Sequence, residues 1–125
     1  MKLEGTKLEN FEPVDGKVER LEVIDLVEGK GEIVPYDVRI TAHYTGALAV
    51  DGTVFQSSHD GANKPLTFGL NQVIRGWTQG VPGMKVGGTR RLIIPAAMAY
   101  GSRSPAANIP ANSDLVFDIE LVGMR

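Results

Sequence analysis

Few side chains in this sequence have the type and spacing that reaction chemistry requires. Only two histidines occur. His43 sits in a run of alternating apolar and polar residues, on the face opposite Tyr44, and reads as a surface or hydrogen-bonded histidine rather than a base. His59 lies in the polar stretch from Ser57 to Pro65 and reads as solvent-exposed. Two histidines with no third ligand at metal spacing make a poor zinc site. Ser57 and Ser58 lack the Gly-x-Ser-x-Gly elbow of an activated nucleophile and read as turn residues. Gly83-Met84-Lys85-Val86-Gly87-Gly88-Thr89 has the glycines of a phosphate loop. No lysine precedes Thr89, however, and a strand rather than a helix follows, so phosphate binding is rejected. Arg90 and Arg91 are neighbours on that strand, point to opposite faces and read as solvated charge rather than an anion clamp. The chain has no cysteine, which excludes thiolate catalysis, disulfides and cysteine-ligated zinc. What remains is apolar. The single tryptophan, Trp77, is flanked by Gly76 and Gly80, which leave room for a ligand to approach the indole. From composition alone Trp77 is equally well a core residue or the floor of an apolar pocket.

The elements that must position these residues are short. Leu21 to Val27 is a β-rich run stopped by Gly29 and Gly31. From Asp37 to Leu48, Val38, Ile40, Ala42 and Tyr44 alternate with Arg39, Thr41, His43 and Thr45, which predicts a strand with one buried and one wet face. Asp51-Gly52 turns the chain into a strand over Thr53–Gln56, and Leu66–Phe68 is another. Asn71 can cap a helix from about Gln72 to Val81, with Val73, Ile74, Trp77 and Val81 on one stripe. Strands follow over Thr89–Pro95 and Asp114–Val122, joined by a long connection of small residues and prolines. In the last strand Leu115, Phe117, Ile119 and Leu121 alternate with Val116, Asp118, Glu120 and Val122. Antiparallel strands with one short helix give an α+β fold.

The 125 residues suit one domain with one core, with residues 1–20 as an arm or added edge strand and 21–125 as the domain proper. Hydrophobic residues make up 42 % and charged residues 22 %, an ordinary globular balance. The net charge of −2, without a block of like charge, argues against a nucleic-acid partner. No segment has the length of a membrane span or the apolar stretch of a signal peptide, so the expected location is the cytoplasm.

Seven short strings, taken in order, carry a further signal. His43-Tyr44-Thr45-Gly46, Asp51-Gly52-Thr53-Val54-Phe55-Gln56-Ser57-Ser58 and Val73-Ile74-Arg75-Gly76-Trp77 resemble the FKBP-type prolyl isomerases in order and spacing. So do Met84-Lys85-Val86-Gly87-Gly88, Ala99-Tyr100-Gly101, Ile109-Pro110 and Leu115–Leu121. The resemblance runs from about Leu21 to Val122. It implies a bent antiparallel sheet wrapped around one short helix, and a peptidyl-prolyl isomerase working without cofactor, metal or covalent intermediate. The alternative is a module of this type that binds proline without useful turnover.

By the same resemblance Trp77 is the floor of the pocket, with Tyr44, Phe55 and Phe117 among its walls. Tyr100 offers a hydroxyl to the ligand. Val73, Ile74 and Ile109 line the site, and the Ile74 amide donates to a substrate carbonyl. Gln56 stands where many members carry aspartate, Leu66 where an aromatic is common, and Asn108 where an apolar residue is usual. The loop from His59 to Asn63 has no counterpart of the family's arginine. The partners implied are proline-containing polypeptides and macrolides of the rapamycin or tacrolimus type, acting on a monomer.

Overall fold

In the computed structural model, which describes residues 2–124, six strands and one helix follow in the order predicted by the alternation. They are β1 (Glu22–Val27), β2 (Arg39–Leu48), β3 (Val54–Ser57), β4 (Leu66–Gly69), α1 (Arg75–Gly80), β5 (Thr89–Ile94) and β6 (Leu115–Met124), with one 3-10 turn at Ala96–Met98. All strand pairs are antiparallel. The sheet runs β1-β5-β6-β2-β3, and β4 also pairs with β2. β2 organises it. One edge meets β6 along most of its length, while the other meets β4 at Arg39–Ala42 and β3 at Thr45–Ala47. Register shifts at Thr41/Ala42 and at Gly46/Ala47 mark the bulges that bend this long strand.

The predicted period of two holds for only half of β2. Ile40, Ala42 and Tyr44 are buried as expected, but so are Thr45 and Ala47 on the other face. The cause is the N-terminal arm, which lies across the back of the sheet. Its Leu3, Leu8, Phe11 and Val14 pack on a second core of Val18, Ala47, Ala49, Val54, Ile93 and Val116. The molecule therefore has three layers: helix, sheet and arm.

Two expectations about charge are corrected by this layering. Arg90 and Arg91 do face opposite ways, but both are buried. Arg90, on the helix side, forms a two-point pair with Asp25 of β1 (2.7 and 3.2 Å) and donates to the Gly80 carbonyl at the end of α1 (2.9 Å). Arg91, on the arm side, grips Asp118 of β6 at two points (2.7 and 2.8 Å) and donates to the Glu9 and Asn10 carbonyls. Planar guanidinium groups suit such forked contacts. Each arginine thus fastens a separate layer to the sheet.

The helix is shorter than predicted. Residues 69–72 form a turn closed by the Gln72 amide on the Gly69 carbonyl (2.9 Å), and Ile74 is extended (φ −59°, ψ 152°), so α1 starts only at Arg75. No side chain caps it; the Asn71 oxygen lies beside Gly69 instead. A six-residue helix has little stability of its own. Its glycines serve packing: a methyl group at Gly76 would come within 2.6 Å of Ile94, and one at Gly80 within 2.7 Å of Leu92. They admit β5 to the helix backbone rather than a ligand to the indole, which corrects the expectation drawn from their spacing. The approach offsets a helix-propensity cost of about 1 kcal/mol per glycine.

Candidate functional site

Pressed against β5 through its glycines, α1 turns Trp77 toward the concave face of the sheet. The indole is 4 % exposed and meets three rings edge-on: Tyr44 of β2 at 5.6 Å, Phe68 of β4 at 5.2 Å and Phe117 of β6 at 5.4 Å between centroids. Edge-to-face geometry at these distances is the favoured arrangement of aromatic pairs. Above these rings opens a concavity of about 460 Å³. Gln56 of β3 and Tyr100, which follows the 3-10 turn, contribute to its lining, as do Gln72, Val73 and Ile74 before the helix. Tyr44, Trp77 and Phe117 complete it, so seven of the ten residues singled out from the sequence meet in one place.

The other three lie elsewhere. Phe55 is buried behind the lining, edge-on to Phe117 at 5.7 Å. Ile109 is buried in the same core. Leu66 sits at the start of β4, is 45 % exposed and takes no part in the lining. Two lining residues, Phe68 and Gln72, were not singled out from the sequence. The signal for Phe68 was present in the strand alternation: it lies opposite fully buried Ile40, two residues beyond Leu66.

The polar inventory is sparse. No side chain in the lining carries a formal charge. Burial, and then the neighbouring Tyr100 hydroxyl, hold the Tyr44 phenol above its usual value. It is therefore a neutral hydroxyl at physiological pH, a hydrogen-bonding group rather than a general base. Among the described residues, the Ile74 amide makes no hydrogen bond and the Trp77 indole nitrogen is buried without a partner. No group of three or more His, Cys, Asp or Glu suited to a metal occurs among them. Among the described residues no helix is long and apolar enough to cross a membrane.

His59, expected in solvent, is engaged instead. It stacks on His43 at 4.1 Å and lies 2.7 Å from Glu120 of β6 and 2.8 Å from Asn63. His43 in turn bonds to the Ser58 hydroxyl, which accepts the Tyr44 backbone amide (2.8 Å each). This polar cluster braces the back of the Tyr44 wall.

Comparison with known proteins agrees with the geometry. The family described as FKBP-type peptidyl-prolyl cis-trans isomerase matches residues 29–122. The chain is 47 % identical over 100 residues to an FK506-binding protein of Neisseria meningitidis serogroup A, covering 78 % of this chain and 90 % of that one. It is 43 % identical over 107 residues to FK506-binding protein 1 of Dictyostelium discoideum, covering 84 % and 98 %. With the peptidyl-prolyl cis-trans isomerase FPR2 of Saccharomyces cerevisiae it shares 48 % over 89 residues, 70 % of this chain but 65 % of that relative's length. The crystal structure of AtFKBP13 superposes with a TM-score of 0.75 at 41 % identity, covering 84 % of this chain and 93 % of that one. A sheet bent around a short helix, a neutral aromatic concavity between them and these matches agree, and the chain belongs to the FKBP-type peptidyl-prolyl cis-trans isomerases.

Proposed function

We propose that the concavity seats the proline of an X-Pro segment over Trp77 and that the bond turns there without a covalent intermediate or cofactor. The observation that carries this reading is the lining itself, with five aromatic rings and no charged side chain. Rotation about X-Pro must break amide resonance, against a barrier of about 18–20 kcal/mol. Twisting localises the lone pair on nitrogen and drains the carbonyl of its zwitterionic character. The twisted state is thus less polar than the planar one. An apolar lining that excludes water favours it relative to the ground state. In this reading Trp77, Tyr44, Phe68 and Phe117 hold the ring. The Ile74 amide and the Tyr100 hydroxyl bind the flanking carbonyls, while Phe55 and Ile109 support the walls from behind.

Residues 21–125 carry the isomerase in this reading, and residues 1–20 brace it. The names of the Neisseria and Dictyostelium relatives lead us to place an FK506-class macrolide in the same concavity, with Gln56 at its rim. We also infer a monomer acting in the cytoplasm. The arm covering the back of the sheet supports the first, and a cysteine-free sequence suits a reducing compartment.

The test is isomerisation of a short X-Pro peptide by wild type and Trp77→Ala, with rapamycin titrated into both. Wild type should accelerate the reaction and rapamycin should block it. Trp77→Ala should lose the activity and about 3–5 kcal/mol of stability, so circular dichroism must confirm its fold. A folded, fully active Trp77→Ala protein would overturn the reading.

A further inference from the structure

The segment that follows Tyr100 sinks Ile109 into the same core as Trp77 and Phe117. It is clasped mostly to itself. The Asn112 amide donates to the Gly101 carbonyl (2.7 Å), the Ile109 amide to Ala106 (3.1 Å), and the Ser104 hydroxyl lies 2.7 Å from both the Ala106 and Ile109 carbonyls. Among the described residues, only two hydrogen bonds of residues 102–113 reach beyond residues 100–113. Both come from the Asn108 side-chain amide: one to the Phe55 carbonyl at 2.9 Å, the other to the Glu4 carboxylate at 3.3 Å.

Both acceptors are specially placed. β2 pairs Gly46 with Gln56 and then Ala47 with Val54, so Phe55 is the residue that the ladder skips, and a skipped residue is left without a strand partner. Glu4 belongs to the arm, which lines the outer edge of β3 through Gly5 to the Val54 carbonyl and Val54 to the Thr6 carbonyl (2.8 Å each). The Asp60 carboxylate fixes that turn by accepting the Leu3 and Glu4 amides at 2.7 and 3.0 Å. A carboxamide has two N–H donors, and here both are used. A leucine could make neither bond, and an aspartate would set like charge against Glu4.

We propose that Asn108 is a positioning residue through which the N-terminal arm sets the loop that follows Tyr100 and carries Ile109. The inference rests on the reading of the concavity as the proline site. Without its tether the loop samples positions in which Ile109 no longer backs the Trp77 and Phe117 walls of the pocket. Apparent affinity then falls with the competent fraction, while turnover of the bound complex is kept.

The experiment measures kcat and KM on an X-Pro peptide, with hydrogen exchange at the Ile109 amide. It uses wild type, Asn108→Asp, Asn108→Leu, Glu4→Ala, the Asn108→Asp/Glu4→Ala double variant and Trp77→Ala. Asn108→Asp and Asn108→Leu should raise KM roughly tenfold, leave kcat within about twofold and speed Ile109 exchange. Glu4→Ala should shift KM about twofold in wild type, but in the Asn108→Asp background it should raise KM no further and, by removing the like charge, should lower it part of the way toward wild type, as expected for coupled groups. Wild-type KM and Ile109 exchange in both Asn108 variants would overturn the proposal, even if their melting temperatures fall, and a dead Trp77→Ala would leave the pocket reading standing. Additive effects of Glu4 and Asn108 would overturn the arm's part in it. A folded, fully active Trp77→Ala would overturn the pocket reading and this proposal with it.

Discussion

His59 has acceptors on both sides of its ring, Asn63 Oδ1 at Nδ1 and Glu120 Oε2 at Nε2. An imidazole that donates from both nitrogens is the cation. The Glu120 hydrogen bond, first among the causes, raises its pKa above the ordinary value of 6.5; burial works against this, and Asn63 and the nearby Asp60 add to it. A raised folded value means the stabilisation is fully present below about pH 6.5 and is lost as pH climbs through the folded value. The urea midpoint of wild type should therefore exceed that of Glu120→Gln most at pH 5.5 and least at pH 9. A gap that widens with pH would show that His59 is bound as the neutral ring. Activity should hardly follow this profile, because no charged side chain lines the concavity. The sequence shows His59 only among polar neighbours; its partner lies 61 residues away. The aromatic site residues were legible because ordered strings carry them, whereas a polar pair formed by folding leaves no local trace.

At the scale of elements, two adjacent arginines on β5 each fasten a layer, and the layers differ in how well water can replace the lost partner. Arg91→Met would strand the Asp118 carboxylate, whose side chain is 18 % exposed, together with the Glu9 and Asn10 carbonyls. Breaking such a pair costs about 3–5 kcal/mol. Arg90→Met would leave Asp25, 47 % exposed and able to hydrate, and mainly the Gly80 and Pro82 carbonyls unpaired. That loss should be nearer 1–3 kcal/mol. Urea unfolding of the two variants checks the order, and equal losses would mean that the Asp118 pair is better hydrated than its burial implies. Alternation on β2 and β6 made these strands legible. It misled from Thr45 onward because a strand's own pattern does not reveal a third layer packed on its polar face. The helix starts later than its pattern predicts for a related reason. Its stripe was visible, but the extended Ile74 that delays its start is set by the turn before it.

For the whole molecule the arm is the part that family resemblance explains least, since the family match begins at residue 29. It nonetheless supplies the cover of the second core and the acceptors of Arg91. A chain lacking residues 2–20 should retain isomerase activity at reduced level, unfold at lower urea and bind an apolar dye through uncovered Ala47, Val54, Ile93 and Val116. Wild-type stability in that shortened chain would show that the arm only rests on the sheet. The strand order carries one more consequence. β6 lies in the middle of the sheet, between β5 and β2, yet it is the last of the six strands in the chain. A ribosome making this protein releases β1 to β5 before the strand that joins them exists. β2 and β5 must wait, their apolar sides uncovered, until Leu115–Met124 leaves the exit tunnel. Until that strand is made, this folding catalyst is an unfinished domain of the kind that needs shelter from aggregation.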